Sequence, residues 1–124
     1  MTVWVVIAMA VAGGIGAVCR FMLDGIIRLR VEAYPLGTMI INLTGSFLLG
    51  LVVGLASAGV LPAEWRLIIG TGFLGGYTTF STASYEAVRL AQQGRWRAMS
   101  VHTIGMALGA FVLAGLGLWL GSLA

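Results

Sequence analysis

Four stretches of the chain, residues 3–23, 37–57, 64–91 and 98–123, each run apolar for about the length needed to cross a bilayer, and with short loops between them they use up its 124 residues. A chain built this way has no room left for a water-soluble domain. Composition agrees: 60% of the residues are hydrophobic and 9% are charged, against about 25% charged in an ordinary soluble domain, and the mean hydropathy is +1.03. Long alternating strands are missing, which argues against a barrel. The expectation is an all-α, multi-pass integral membrane protein: one four-helix membrane domain. The first residues carry no basic run of the signal-peptide kind, so the first span is expected to be retained.

The third segment is the unusual one. It contains Gly72-Phe73-Leu74-Gly75-Gly76-Tyr77-Thr78-Thr79-Phe80-Ser81-Thr82-Ala83-Ser84-Tyr85-Glu86, too polar and too rich in glycine for a plain spanning helix. Adjacent glycines weaken a helix by roughly 1 kcal/mol each relative to alanine. Hydroxyls then crowd in at Thr78, Thr79, Ser81, Thr82 and Ser84. Irregular polar backbone at membrane depth is tolerated only where protein buries it or a wet cavity borders it. This predicts a broken helix whose freed carbonyls and hydroxyls hold an ion. A packing surface of small residues accounts for the glycines equally well, and less well for the hydroxyls. Further small pairs, Ala12 with Gly16, Gly50 with Gly54, Gly105 with Gly109 and Gly117 with Gly121, are expected at helix contacts.

Several chemistries are excluded. All seven basic residues are arginine, so no lysine-bearing phosphate loop exists. The single histidine and single cysteine match no metal-ligand spacing. Gly70 to Gly75 fits the dinucleotide pattern GxGxxG, but it follows no strand and lies in a span. No enzyme activity is expected. Asn42 is more informative, because a carboxamide in hydrocarbon is costly unless satisfied; its NH2 group can donate either to an anion or to a neighbouring helix. Phe80 reads as packing or lipid-facing by itself. Among the hydroxyls it takes on another meaning, since the positive edge of a ring can face an anion without trapping it. Asn42, Phe80, Ser81 and Thr82 are the kinds of groups that replace water around a small anion while leaving it able to escape. His102 reads as an interhelical contact or as a pathway residue. Glu86 is placed to pair with Arg89.

Gly13-Gly14-Ile15-Gly16-Ala17 with Arg20, Pro35-Leu36-Gly37-Thr38 leading to Asn42, and Gly72 through Thr82 together resemble the Fluc (CrcB) family of fluoride channels over nearly the whole chain. The resemblance implies small four-helix subunits paired as an antiparallel, dual-topology dimer in a microbial inner or plasma membrane, with two pores that expel fluoride passively. It also implies a structural sodium ion at the dimer centre, held by the carbonyls of Gly75 and Thr78. Asn42 would line the fluoride pathway together with Phe80, Ser81 and Thr82, with Arg20 near the pore mouth and His102 one turn before Met106, where the family often has serine. The family usually reads Phe-Ser-Thr-Phe where this chain has Phe80-Ser81-Thr82-Ala83, so the second ring is missing and reduced conduction is expected.

Charge adds a question of pairing. With four spans, Arg28, Arg30, Arg89, Arg95 and Arg97 share one side, and Arg66 faces the other with both termini. The positive-inside tendency then puts the termini outside the cytoplasm. An antiparallel homodimer needs one chain to insert both ways, whereas this bias also suits pairing with an oppositely oriented homologue. A small proton-coupled multidrug exporter is the alternative function. It would need a carboxylate within a span, and the first span has none before Asp24.

Overall fold

The computed structural model describes residues Met1 to Ala124, and every regular element is helical. Helix α1 is Val3–Arg28 and α2 is Leu36–Ser57. A third helical run, α3 (residues 63–77), joins a short turn Ala63–Trp65, a π-helical stretch Arg66–Leu74 and a final turn Gly75–Tyr77. Ser81–Gln92 forms α4, and α5 runs Trp96–Ser122 with a second widened stretch at Val101–Gly105. Three of these helices, α1, α2 and α5, are long and apolar enough to cross a membrane.

Local chemistry sets the boundaries. Thr2 caps α1 by accepting the Val5 amide at 3.3 Å. The helix continues past the expected end at residue 23 because Asp24 and Arg28, one turn apart, pair at 2.9 Å, with the cation at the helix C-terminus where the dipole favours it. Pro35 stands just before α2, as expected from its missing donor. Two glycines end helices in the left-handed region, Gly59 at φ 78° after α2 and Gly94 at φ 73° after α4. In each case the next amide reaches back to close the turn, Val60 to the Leu55 carbonyl and Arg95 to the Leu90 carbonyl.

The packing is inverted relative to a soluble protein. Large apolar side chains such as Trp4, Val11, Ile15, Val18 and Phe21 of α1 lie exposed, while Gly16 of the same helix is buried. A surface like this is stable only in contact with lipid. Its interior is held by close backbone approach rather than by bulky side chains. A Cβ added at Gly16 would strike the Phe73 carbonyl, and one at Gly76 would strike the Gly13 carbonyl, so α1 and α3 lie backbone to backbone. Gly50 and Gly117 do the same for α2 and α5, against the Ala114 and Phe47 carbonyls. Gly105 is the exception among the expected packing glycines, with only a Val101 methyl at 3.9 Å.

Candidate functional site

Between α3 and α4 the chain leaves the helix at Thr78, which is extended at φ -80° and ψ 162°. Asn42 of α2 reaches this segment and pairs with Thr79 in both directions. Its Oδ1 accepts the Thr79 amide at 2.9 Å, and its Nδ2 donates to the Thr79 carbonyl at 2.8 Å. Because a backbone amide can only donate, the carboxamide oxygen must face it, which fixes the side chain's orientation. The other Nδ2 proton points to Met106 Sδ of α5 at 3.3 Å. Of the two readings open to Asn42, the structure realises the contact to a neighbouring segment.

This rerouting has a consequence for the carbonyls. In an uninterrupted helix the Thr79 amide would bond the Gly75 carbonyl and the Thr82 amide would bond that of Thr78. Here the first goes to Asn42 Oδ1, and the second to Thr79 Oγ1 at 3.1 Å. Gly75 and Thr78 therefore both keep carbonyl oxygens without their helical donors. The Gly76 carbonyl is taken instead by Arg20 Nε at 3.2 Å. Other hydroxyls turn inward on their own helices: Thr78 Oγ1 to Leu74 O at 3.0 Å, Ser84 Oγ to Phe80 O at 2.9 Å, and Ser46 Oγ to Asn42 O at 2.7 Å.

Two cavities border the segment. A groove of about 610 Å³ is lined by Asn42, Thr78, Phe80, Ala83, His102 and Met106, among others. Phe80 is 87% exposed there, an aromatic ring held on an open face. The second cavity, of about 370 Å³, lies under the connector between α1 and α2 and includes Arg28, Tyr34, Thr82, Glu86, Arg89 and Arg95. Thus Asn42, Phe80, Ala83 and His102 come together with Thr78, and Thr82 opens into the neighbouring space. Ser81 is exposed and borders neither, and Arg20 sits at the contact of α1 with α3.

Glu86 departs from its expected pairing. Its Oε2 lies 3.4 Å from Arg28 Nη2 and its Oε1 3.8 Å from His102 Nε2, whereas Arg89 meets the Tyr85 hydroxyl at 3.4 Å. Burial of Glu86 turns it inward toward α1 and α5, away from the exposed Arg89. These partners lie 58 and 16 positions away, where no local spacing could reveal them. Outside the spans, burial raises the Tyr34 phenol above the ordinary tyrosine value, and the nearby Arg95 guanidinium opposes this. Arg95 also donates to the Ala33 carbonyl, tying the connector to the start of α5. No three His, Cys, Asp or Glu side chains gather to form a side-chain metal site.

A family model described as CrcB-like protein, Camphor Resistance (CrcB), matches residues 7–120. The chain belongs to the CrcB family. Among its relatives, one from Leifsonia xyli subsp. xyli is 62% identical over 100% of this chain and 91% of its own length, and is named fluoride-specific ion channel FluC 1. One from Bifidobacterium longum, named fluoride-specific ion channel FluC 3, is 44% identical over 92% of this chain and 94% of its own. A Moorella thermoacetica relative, fluoride-specific ion channel FluC 2, is 46% identical over 87% and 88%. As a CrcB protein with apolar helices turned outward, the chain is a multi-pass membrane protein.

Proposed function

We propose that the protein is a fluoride channel that lets the ion leave the cell passively. The observation that carries this is the open groove, in which Asn42, Phe80, Thr78 and His102 converge beside an interrupted helix, in a chain whose relatives are named fluoride-specific ion channels. The groove offers polar side chains and an aromatic edge, and no fixed cation that would hold a fluoride ion too tightly to release it. Asn42, Phe80, Ala83 and His102 line the path, Ser81 and Thr82 flank it, and Arg20 steadies the break by holding Gly76. In this reading α3 and α4 make one broken span, giving four spans in all.

The subunit pairs with an inverted copy that covers the open groove. A sodium ion between the two suits the carbonyls of Gly75 and Thr78, since both lack their helical donors and a small hard cation favours such oxygens at a helix break. When bound, that ion supplies a fixed positive charge that ties the two breaks together. Replacing sodium by a large organic cation during purification is expected to lower the melting temperature of the dimer; an unchanged melt would count against the ion. The arginines at one end favour a second form of the pair, with an oppositely oriented homologue in place of a copy. Arg28 reaches Glu86 and Arg95 reaches Ala33 at that same end.

The deciding experiment is fluoride efflux from liposomes carrying the purified chain, with chloride as control. Fluoride flux without chloride flux is expected. Flux of both anions, or of neither, rejects a fluoride-selective channel formed by this chain alone. Flux appearing only when an oppositely oriented homologue is co-reconstituted would select the mixed pair.

A further inference from the structure

Three buried polar atoms have no hydrogen-bond partner: the Tyr34 hydroxyl, Glu86 Oε1 and His102 Nδ1. They belong to one cluster. The Tyr34 and His102 rings meet edge to face with centroids 6.1 Å apart, and His102 Nε2 lies 3.8 Å from Glu86 Oε1. Burial without partners is costly for such groups, so their clustering calls for a physical reason.

Position supplies one. Glu86 and Tyr34 border the cavity that also contains Arg28, Arg89 and Arg95, whereas His102 borders the groove of Asn42 and Phe80. The Glu86–His102 contact is therefore part of the wall between the two spaces. His102 is completely buried in it, inside the widened turn Val101–Gly105. Its Nε2 faces the Ala83 carbonyl at 3.3 Å, a group that can only accept. The neutral ring thus carries its proton on Nε2 and leaves Nδ1 as a bare acceptor. A second proton would go to Nδ1, the atom that lacks a partner, and would place a positive charge next to the Glu86 carboxylate.

The surroundings leave few other groups to respond. Helix α4 presents Glu86, and the connector presents Tyr34, itself beside Arg95. Helix α1 acts through Glu86, by way of Arg28 at 3.4 Å and Asp24 behind it. Helix α2 has no titratable side chain at all. We propose that His102 and Glu86 form a proton-operated partition between the arginine-lined cavity and the groove, which passes small anions more readily when His102 is protonated. With a neutral imidazole the pair bears a net negative charge and repels an anion at the wall. With an imidazolium the pair is neutral and the repulsion is gone. This rests on the channel reading above.

The test uses two readouts. Fluoride efflux is measured from about pH 5.5 to about pH 8, bracketing the ordinary histidine value, with protein-free vesicles subtracted at each pH to remove leakage of hydrogen fluoride. In parallel, NMR follows the imidazole of His102, the only histidine in the chain. Flux is expected to rise on the order of tenfold on acidification, as one unit charge is cancelled a few ångströms from the path, with a midpoint that tracks the imidazole titration. His102→Gln should flatten the profile, and Glu86→Gln should raise flux at the alkaline end of the range by removing the charge that repels an anion at the wall. Fluoride flux that stays level with pH, or alkaline flux left unchanged by Glu86→Gln, overturns the partition and leaves the channel standing. Absence of fluoride flux at every pH overturns the channel reading and the partition with it.

Discussion

Asn42 and Thr79 exchange two hydrogen bonds, 2.8 and 2.9 Å long, across 37 residues of sequence. A side chain on α2 thereby does for one residue what a neighbouring strand does in a sheet, satisfying both backbone groups at a place where the helix has let go. The arrangement leaves neither peptide group of Thr79 unpaired where the helix is interrupted.

Asn42→Ala is accordingly expected to destabilise the fold. It strands the Thr79 amide and carbonyl, at about 1–3 kcal/mol for each buried unsatisfied group. Asn42→Asp keeps the acceptor, but as a carboxylate it loses the donor and brings a charge against the Thr79 carbonyl, so it should cost at least as much. Denaturant unfolding in detergent measures both. Wild-type stability in Asn42→Ala would mean that water or another group supports the break.

Glycines on one helix should respond in opposite directions. At Gly16 a methyl group meets the backbone of Phe73 and Tyr77, while at Gly14 nothing lies within 4 Å. Gly16→Ala is expected to cost about 1–3 kcal/mol through overpacking, and Gly14→Ala to be neutral or to gain up to about 1 kcal/mol from helix propensity. The same unfolding assay checks them. Equal effects would contradict the close contact of α1 with α3.

Ala83 lines the groove beside Phe80 and leaves open space there. Ala83→Phe should fold normally and raise fluoride flux by roughly twofold to tenfold, the range that an aromatic contact of about 0.5–1.5 kcal/mol would provide. Side-by-side efflux from liposomes tests this, and identical rates in the two forms would show that one ring is enough.

Tyr34 should make the protein sensitive to alkali. Burial raises its phenol above the ordinary value, against the pull of Arg95. The folded chain then holds this proton to higher pH than the unfolded chain does. Its contribution is complete below the ordinary tyrosine value of about 10 and is lost as pH climbs through the raised one. Unfolding midpoints should fall more steeply with alkali in the wild type than in Tyr34→Phe, and the variant's phenolate absorbance should lack the last transition. Parallel stability curves would rule this out.

Much of the molecule is legible along the chain because lipid reduces the choices. Long apolar runs become helices since no other structure satisfies its backbone there, and the starts at Val3 and Leu36 follow from a cap and a proline that act on adjacent residues. Within the glycine-hydroxyl stretch the glycines stay helical and the extended residue is Thr78. What one residue does to another far along the chain is a different matter. That Asn42 holds Thr79, that Arg20 takes the Gly76 carbonyl, and that Glu86 turns to Arg28 and His102 instead of Arg89 are facts of assembly. Periodicity describes which face a side chain occupies but carries no information about which distant helix will stand opposite that face. Only when the glycines bring the backbones together does each buried polar group meet its partner, or, as with His102 Nδ1 and the Tyr34 hydroxyl, fail to find one.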